Sequence, residues 1–289
     1  MKNIRYTIIL CMLCAAVSFA QESKGDSYLS KPTRKNIIFE GQIAPDYEVY
    51  QFGKDPKKMR KGFSLQVIAT PKILLEIYQS RTRPVKTPSY MPQVTFLGTW
   101  KTRSLYVYPF LTIAHHSNGQ SGKTIENNSS QVPADTTIDN GDPHVNTTDG
   151  NFMTNYIKIG YAVSLARFKN HKLGVAYEHH PLKGWWFQID ESLKDIYGRK
   201  RLHLYYEYDS KNIQVDMEYT KIYDEWALPE GVSSRILDVT ARFRIPGFKN
   251  MAWLFANMYQ GQNYYNIHFN KQLRQFKMGL SVKTKLIGL

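Results

Sequence analysis

Past residue 20 the sequence has no cysteine, because Cys11 and Cys14 are the only two in the chain. Both lie in "MKNIRYTIILCMLCAAVSFAQES", where Lys2 and Arg5 precede an apolar run from Ile8 to Val17 and Ser18-Phe19-Ala20 offers small residues for cleavage. This is the plan of a secretory signal peptide over residues 1–20. Leu10 and Leu13, standing before the two cysteines, speak against a lipoprotein. A mature chain beginning near Gln21 then has no disulfide framework and no thiolate chemistry. Long hydrophobic runs are missing too: nothing after the leader approaches the roughly 18 uninterrupted apolar residues of a membrane helix. Acid is scarce. The formal charge of +14 falls only to +12 when Lys2 and Arg5 leave with residues 1–20, which hold no Asp or Glu. In an exported chain such a balance argues against nucleic acid. It suits an anionic lipid or lipopolysaccharide surface, or simply a solvated basic face.

Aromatic residues, by contrast, are plentiful: 20 Tyr, 14 Phe and 5 Trp, or 13 % of a chain whose mean hydropathy is only −0.44. Their distribution is periodic. Phe276, Met278, Leu280 and Val282 alternate with Lys277, Gly279, Ser281 and Lys283. Ile213, Val215, Met217 and Tyr219 alternate in the same way with Gln214, Asp216 and Glu218, as do Leu202, Leu204, Tyr206 and Tyr208 with His203, Tyr205 and Glu207. A period of two gives each strand one apolar and one polar face. A soluble sandwich would turn the apolar face inward. The leader, the missing cysteines and the aromatic richness favour the inverse, with lipid outside and a polar interior. The criterion yields about twelve strands, near 62–70, 73–80, 90–101, 104–117, 152–166, 171–180, 200–209, 212–221, 234–244, 251–259, 263–270 and 275–286. The sequence thus predicts an all-β fold, a twelve-stranded antiparallel transmembrane β-barrel over residues 61–289. Residues 21–60, with Pro32, Pro45 and Pro56, read as an irregular N-terminal segment. The Asn-, Asp-, Ser- and Gly-rich stretch at about 120–150 reads as a long extracellular loop.

One strand ends unusually, in "AHHSNGQSG" at 114–122. By parity Leu105, Val107, Pro109, Leu111, Ile113, His115 and Ser117 share a face, while His116 points the other way. An imidazole and a hydroxyl thereby continue the most apolar stripe, at the lipid-facing rim. A neutral imidazole can take the proton of a serine attacking a carbonyl, provided that a third group orients its other nitrogen. In "MTNYIKIGYAV" Asn155 opens the apolar face of the next strand, and antiparallel pairing brings it back to the end of the first. Ser, Asn, Gly and His at a strand end also make an ordinary polar rim, with "SNG" as a turn signal. Parity alone leaves these two readings even.

At these residues the sequence resembles the outer-membrane phospholipase A family. The motif is "HHSNG" at 115–119 with "MTNY" at 153–156, and the similarity extends to "RKGFSLQV" (60–67), "TPSYMPQVTFLG" (87–98) and "YQGQNYYNIHFNKQLRQFKMGLSV" (259–282). The resemblance implies a twelve-stranded barrel in the outer membrane of a Gram-negative bacterium that hydrolyses acyl esters of membrane phospholipids. Ser117 would be its nucleophile, His115 the general base and acid, Asn155 the orienting residue and Gly119 the oxyanion donor. It further implies calcium, held through oxygens including the hydroxyl of Thr82 and the carbonyl of Gln120, and activity as a homodimer. The 120–150 loop is longer than the family's and displaces a further calcium ligand; Asp135, Asp139, Asp142 and Asp149 lie within it. The rival expectations are a lipid A deacylase, which uses a carboxylate in place of Asn155 and fewer strands, and a non-enzymatic porin or adhesin. A metal centre at His115–His116 or His179–His180 is disfavoured, because neighbours on a strand point to opposite faces.

Overall fold

The alternation of apolar and polar residues becomes an inside-out barrel in the computed structural model, which describes residues 26–34, 36–54, 61–79, 85, 87–120, 125–126, 144–145, 151–182, 188–247, 252–283 and 285–287. The strands are β1 (26–32), β2 (37–43), β3 (46–53), β4 (62–78), β5 (89–101), β6 (105–117), β7 (125–126), β8 (144–145), β9 (153–165), β10 (171–179), β11 (200–209), β12 (213–222), β13 (235–244), β14 (252–262), β15 (272–283) and β16 (285–287). Pairing runs β4–β5–β6–β9–β10–β11–β12–β13–β14–β15–β1–β2 and returns from β2 to β4, closing a ring of twelve strands. Every pair in the ring is antiparallel. β3 continues β2 beyond Ala44–Pro45 along the first half of β4, and β16 joins β3 in a short parallel pairing. Full closure removes the edges that lipid could not satisfy.

The faces sort as the parity requires. Met278 is 59 % exposed and its neighbour Lys277 only 6 %, so the apolar stripe looks outward and the lysine inward. Inside, buried Glu40 accepts hydrogen bonds from Lys277 Nζ at 2.6 Å and from the hydroxyls of Tyr28 and Tyr264 at 2.7 Å each. Arg34 bridges Glu40 and Glu76, and Lys158 meets Glu178 at 3.0 Å. Each of these buried charges therefore has a partner of opposite sign, as a low-dielectric interior demands. Loops at one end are short, such as residues 102–104, 166–170 and 210–212. At the other end four are long: 118–152, 180–199, 223–234 and 263–271. Long loops face outward in barrels of this type. Three of them meet in the mouth, where Phe152, Ile189, Leu193, Tyr197 and Phe269 form a buried apolar cluster.

Three expectations need correction. In the segment 21–60, expected to be irregular, the described residues supply β1 and β2 to the ring and β3 beside it. Its prolines punctuate strands instead of abolishing them: Pro32 ends β1 and Pro45 separates β2 from β3. The strands expected at 62–70 and 73–80 are a single strand of 17 residues. Pro71 does not break it, because it stands opposite Pro92. Residues facing each other in an antiparallel ladder share both hydrogen bonds or neither, so paired prolines confine any loss to one rung. The stretch 263–270 is a loop with a short 3-10 turn at Asn266–His268. Its polar groups find partners across the mouth, with Asn266 Nδ2 and Tyr265 Oη donating to the Thr87 carbonyl at 2.7 and 2.8 Å. The expected signal peptide and most of the 120–150 loop lie outside the described residues, apart from the two-residue pairing of β7 with β8.

Close approach of neighbouring strands makes Gly160 irreplaceable. A Cβ there would collide with the Val175 carbonyl and lie 2.8 Å from Ala176 Cα, both of them backbone. Gly160→Val is expected to destabilise the barrel by about 1–3 kcal/mol or more, read as a lower urea midpoint for unfolding from detergent micelles.

Candidate active site

The site is built on β6, β9 and the start of β5. Ile113 is 36 % exposed and His116 7 %, so the odd positions of β6 face outward and carry His115 and Ser117 with them. His116 points into the barrel, where its ring meets Phe152 edge-on at 4.7 Å. Antiparallel register sets His115 opposite Asn155, Ser117 opposite Met153, and Tyr90 of β5 opposite Ser117. Ser117, His115 and Asn155 thus sit on one outward face, at the long-loop end.

His115 Nδ1 and Asn155 Oδ1 are 2.7 Å apart. On its other side Asn155 Nδ2 donates to the main-chain carbonyl of Gln188, also at 2.7 Å. That carbonyl can only accept, so the amide nitrogen must face it and Oδ1 must face the histidine. His115 accordingly carries its proton on Nδ1, which leaves Nε2 as a lone-pair acceptor. The Gln188 segment is itself held: Ile189 N donates to the Pro181 carbonyl at 2.9 Å, Asp190 N to the Met153 carbonyl at 3.0 Å, and Asn151 Nδ2 to Asp190 Oδ2 at 3.0 Å. His180, just past the end of β10, anchors the near foot of the loop. Burial pushes its pKa down to about 4, so the neutral ring accepts from the Thr154 hydroxyl at 2.6 Å and donates from Nε2 to Glu178 at 3.0 Å.

Past Ser117 the chain turns sharply. Asn118 is buried; its N–H donates to the Phe152 carbonyl, and its Oδ1 accepts from the N–H groups of Gln120 and Phe152 at 3.2 and 3.1 Å. One side chain thereby joins the ends of β6 and β9 across the long loop. Gly119 has φ +65, a left-handed conformation that a side chain would strain, and the Tyr90 ring lies 3.4 Å from where its Cβ would be. Sequence reasoning did not count Gln188, Asn118 or Tyr90 among the candidate site residues, although Asn118 and Tyr90 fall within the quoted motifs. Parity would have reached Tyr90; a main-chain carbonyl leaves no trace in a sequence.

The two residues implied for calcium fare unequally. Gln120 is exposed at the strand end, and its N–H is already bound to Asn118. It offers only carbonyl oxygens, the hard donors calcium takes. Thr82, like Asp135, Asp139, Asp142 and Asp149, lies outside the described residues. The adjacent histidines diverge as expected, with His116 and His180 buried while His115 and His179 remain partly exposed.

No family model and no curated sequence matches the chain. Solved structures do. The outer membrane phospholipase A from Escherichia coli aligns at a TM-score of 0.57 and 10 % identity, over 90 % of this chain and 93 % of that one. The Salmonella typhi outer membrane phospholipase, a dimer with bound calcium, aligns at 0.57 and 11 % identity, over 91 % and 95 %. This is the outer-membrane phospholipase A fold. An active-site mutant of the E. coli phospholipase, an asparagine replaced by alanine, aligns at 0.59 and 10 % identity, over 93 % and 92 %. At such identities the likeness extends to the fold, and with it to a barrel of the outer membrane. On that phospholipase A scaffold the chemistry of this chain rests on its own residues.

Proposed function

We propose that this chain is an outer-membrane phospholipase that cleaves acyl ester bonds of phospholipids through Ser117, His115 and Asn155. The observation carrying the reading is the 2.7 Å contact between His115 Nδ1 and Asn155 on a lipid-facing surface, with Ser117 two residues along the same face. A porin has no use for an oriented imidazole there, and its lumen would be open, whereas here the mouth holds a buried apolar cluster. The asparagine of the E. coli active-site mutant points the same way for Asn155.

In the proposed reaction Ser117 Oγ attacks the ester carbonyl and its proton passes to His115 Nε2. The carbonyl oxygen becomes an oxyanion facing the N–H of Gly119. Asn155 holds the imidazolium without adding a negative charge beside lipid. Collapse breaks the bond to the glycerol oxygen, which takes the proton from His115 and leaves as lysophospholipid. Water, deprotonated by His115, then releases the fatty acid from Ser117. Calcium, held by oxygens of Gln120 and Thr82, would supply positive charge beside the oxyanion. Activity as a homodimer belongs to the same proposal, by likeness to the Salmonella dimer.

The test is fatty-acid release from phospholipid in detergent micelles by the refolded chain. Release is expected with calcium and should fall at least tenfold in excess chelator. Full activity in chelator would keep the triad and remove the metal. Release from lipid A but not from phospholipid would make the enzyme a deacylase, and release from neither would leave a silent barrel.

A further inference from the structure

At the mouth β9 outruns one of its two neighbours. β6 pairs with it from Leu165 up to Met153, but β10 reaches no farther than Ile157. Beyond that rung the loop segment 188–190 takes the place of β10. Asn155 Nδ2 donates to the Gln188 carbonyl at 2.7 Å, and Asp190 N to the Met153 carbonyl at 3.0 Å. Residues 155 and 153 thus meet 188 and 190 in antiparallel order. One of these two contacts is made by a side chain, and that side chain is the one facing His115.

Ile189 and Leu193 are buried in the apolar cluster of the mouth, which keeps the loop folded in. Apolar burial has no direction, so it does not choose which main-chain group meets Asn155. Asp190 supplies the direction. Its Oδ2 accepts from Asn151 Nδ2 at 3.0 Å, and its Oδ1 from Ser192 N and Ser192 Oγ at 2.9 and 2.6 Å. One carboxylate therefore joins the 3-10 turn Glu191–Leu193 to Asn151, just ahead of β9. A slip of the loop by one residue would break these bonds and offer Asn155 a different main-chain group. Without an acceptor for Nδ2 the amide is free to turn over and present Nδ2 to His115, a donor where the ring needs an acceptor.

We propose that Asp190 is a positioning residue of the site, holding the Gln188 carbonyl in register so that Asn155 keeps His115 protonated on Nδ1. It touches neither substrate nor reacting atoms. Its effect passes through Gln188 and Asn155 to the ring, whose Nε2 is thereby left to accept the proton of Ser117. The kinetic part of this inference rests on the proposed hydrolysis; the ring tautomer does not.

The test uses the folded full chain in phospholipid–detergent micelles. Asp190→Ala is expected to lower kcat about tenfold, what one net hydrogen bond contributes. KM should stay as it is, because lipid binding needs no particular tautomer. Asp190→Asn, whose Oδ1 still accepts from Ser192, should recover most of the loss. In an Asn155→Ala background Asp190→Ala should cost nothing further, since residues acting in series do not add. A second readout is independent of turnover. Long-range proton–nitrogen NMR spectra of labelled histidine rings should show His115 protonated on Nδ1 in the wild type and as a mixture of tautomers in Asp190→Ala. If that variant does not reach the heat-resistant form on gels, Asn151→Ala cuts the same link from the β9 side and should move both readouts the same way. An unchanged tautomer or an unchanged kcat would overturn the proposal. So would an equal loss in the Asn155→Ala background, the mark of a packing defect alone. A wild type that shows the tautomer response yet releases no fatty acid would leave the positioning in place and end the hydrolytic reading.

Discussion

Ser117→Ala is expected to reduce fatty-acid release by about 10⁴-fold or more, because a nucleophile and its base act as one unit and removing either leaves only binding and oxyanion stabilisation. His115→Ala should cost about as much, and the double variant little more than either single one. Such non-additivity separates a shared chemical step from two independent packing losses. Neither substitution removes an inward-facing side chain, since both residues sit on the outward face of β6. Folding is checked by heat-resistant migration on gels, and activity by titrating released fatty acid. Hydrolysis surviving unchanged in folded Ser117→Ala protein would remove Ser117 from the chemistry.

Asn155→Asp should be as damaging at neutral pH as Asn155→Ala, although aspartate fills this role in many serine hydrolases. The reason lies on the far side of Asn155. Its Nδ2 donates to the Gln188 carbonyl at 2.7 Å, and a carboxylate there would set one acceptor against another. The variant must swing away, lose the His115 contact, or take up a proton. An unsatisfied polar group at such a site costs about 1–3 kcal/mol, or about 10- to 100-fold in rate. Since a protonated aspartic acid can donate to Gln188 and still accept from His115, the pH–rate profile of the variant should shift toward acid relative to wild type. Wild-type kcat from Asn155→Asp at neutral pH, with an unshifted profile, would show that Gln188 imposes no preference for an amide. The same geometry bears on the deacylase alternative, whose carboxylate this loop would not accommodate as it stands.

Much of the architecture was legible from local chemistry. Alternation in 200–222 and 275–283 predicted the polar interior, because side-chain direction in a strand repeats every two residues whatever the strand pairs with. The same rule placed His115 and Ser117 outward and His116 inward before any pairing was known. It failed where composition imitates a different element. Pro71 looked like a break, yet faces Pro92 within one strand. The alternating residues 263–270 looked like a strand, yet fold across the mouth to reach Thr87 and Ser89. The proline-bearing segment 21–60 looked irregular, yet its strands at 26–32 and 37–43 close the ring.

What the sequence by itself determined is therefore what strand period and residue chemistry carry: an exported, cysteine-free barrel with a histidine, a serine and an asparagine at one lipid-facing rim. Only the tertiary structure decided what depends on partners distant in the chain. The carbonyl that orients Asn155 comes from a residue 33 positions away, and any residue type could have supplied it. Parity is a property of one strand; proximity between strands is a property of the closed barrel.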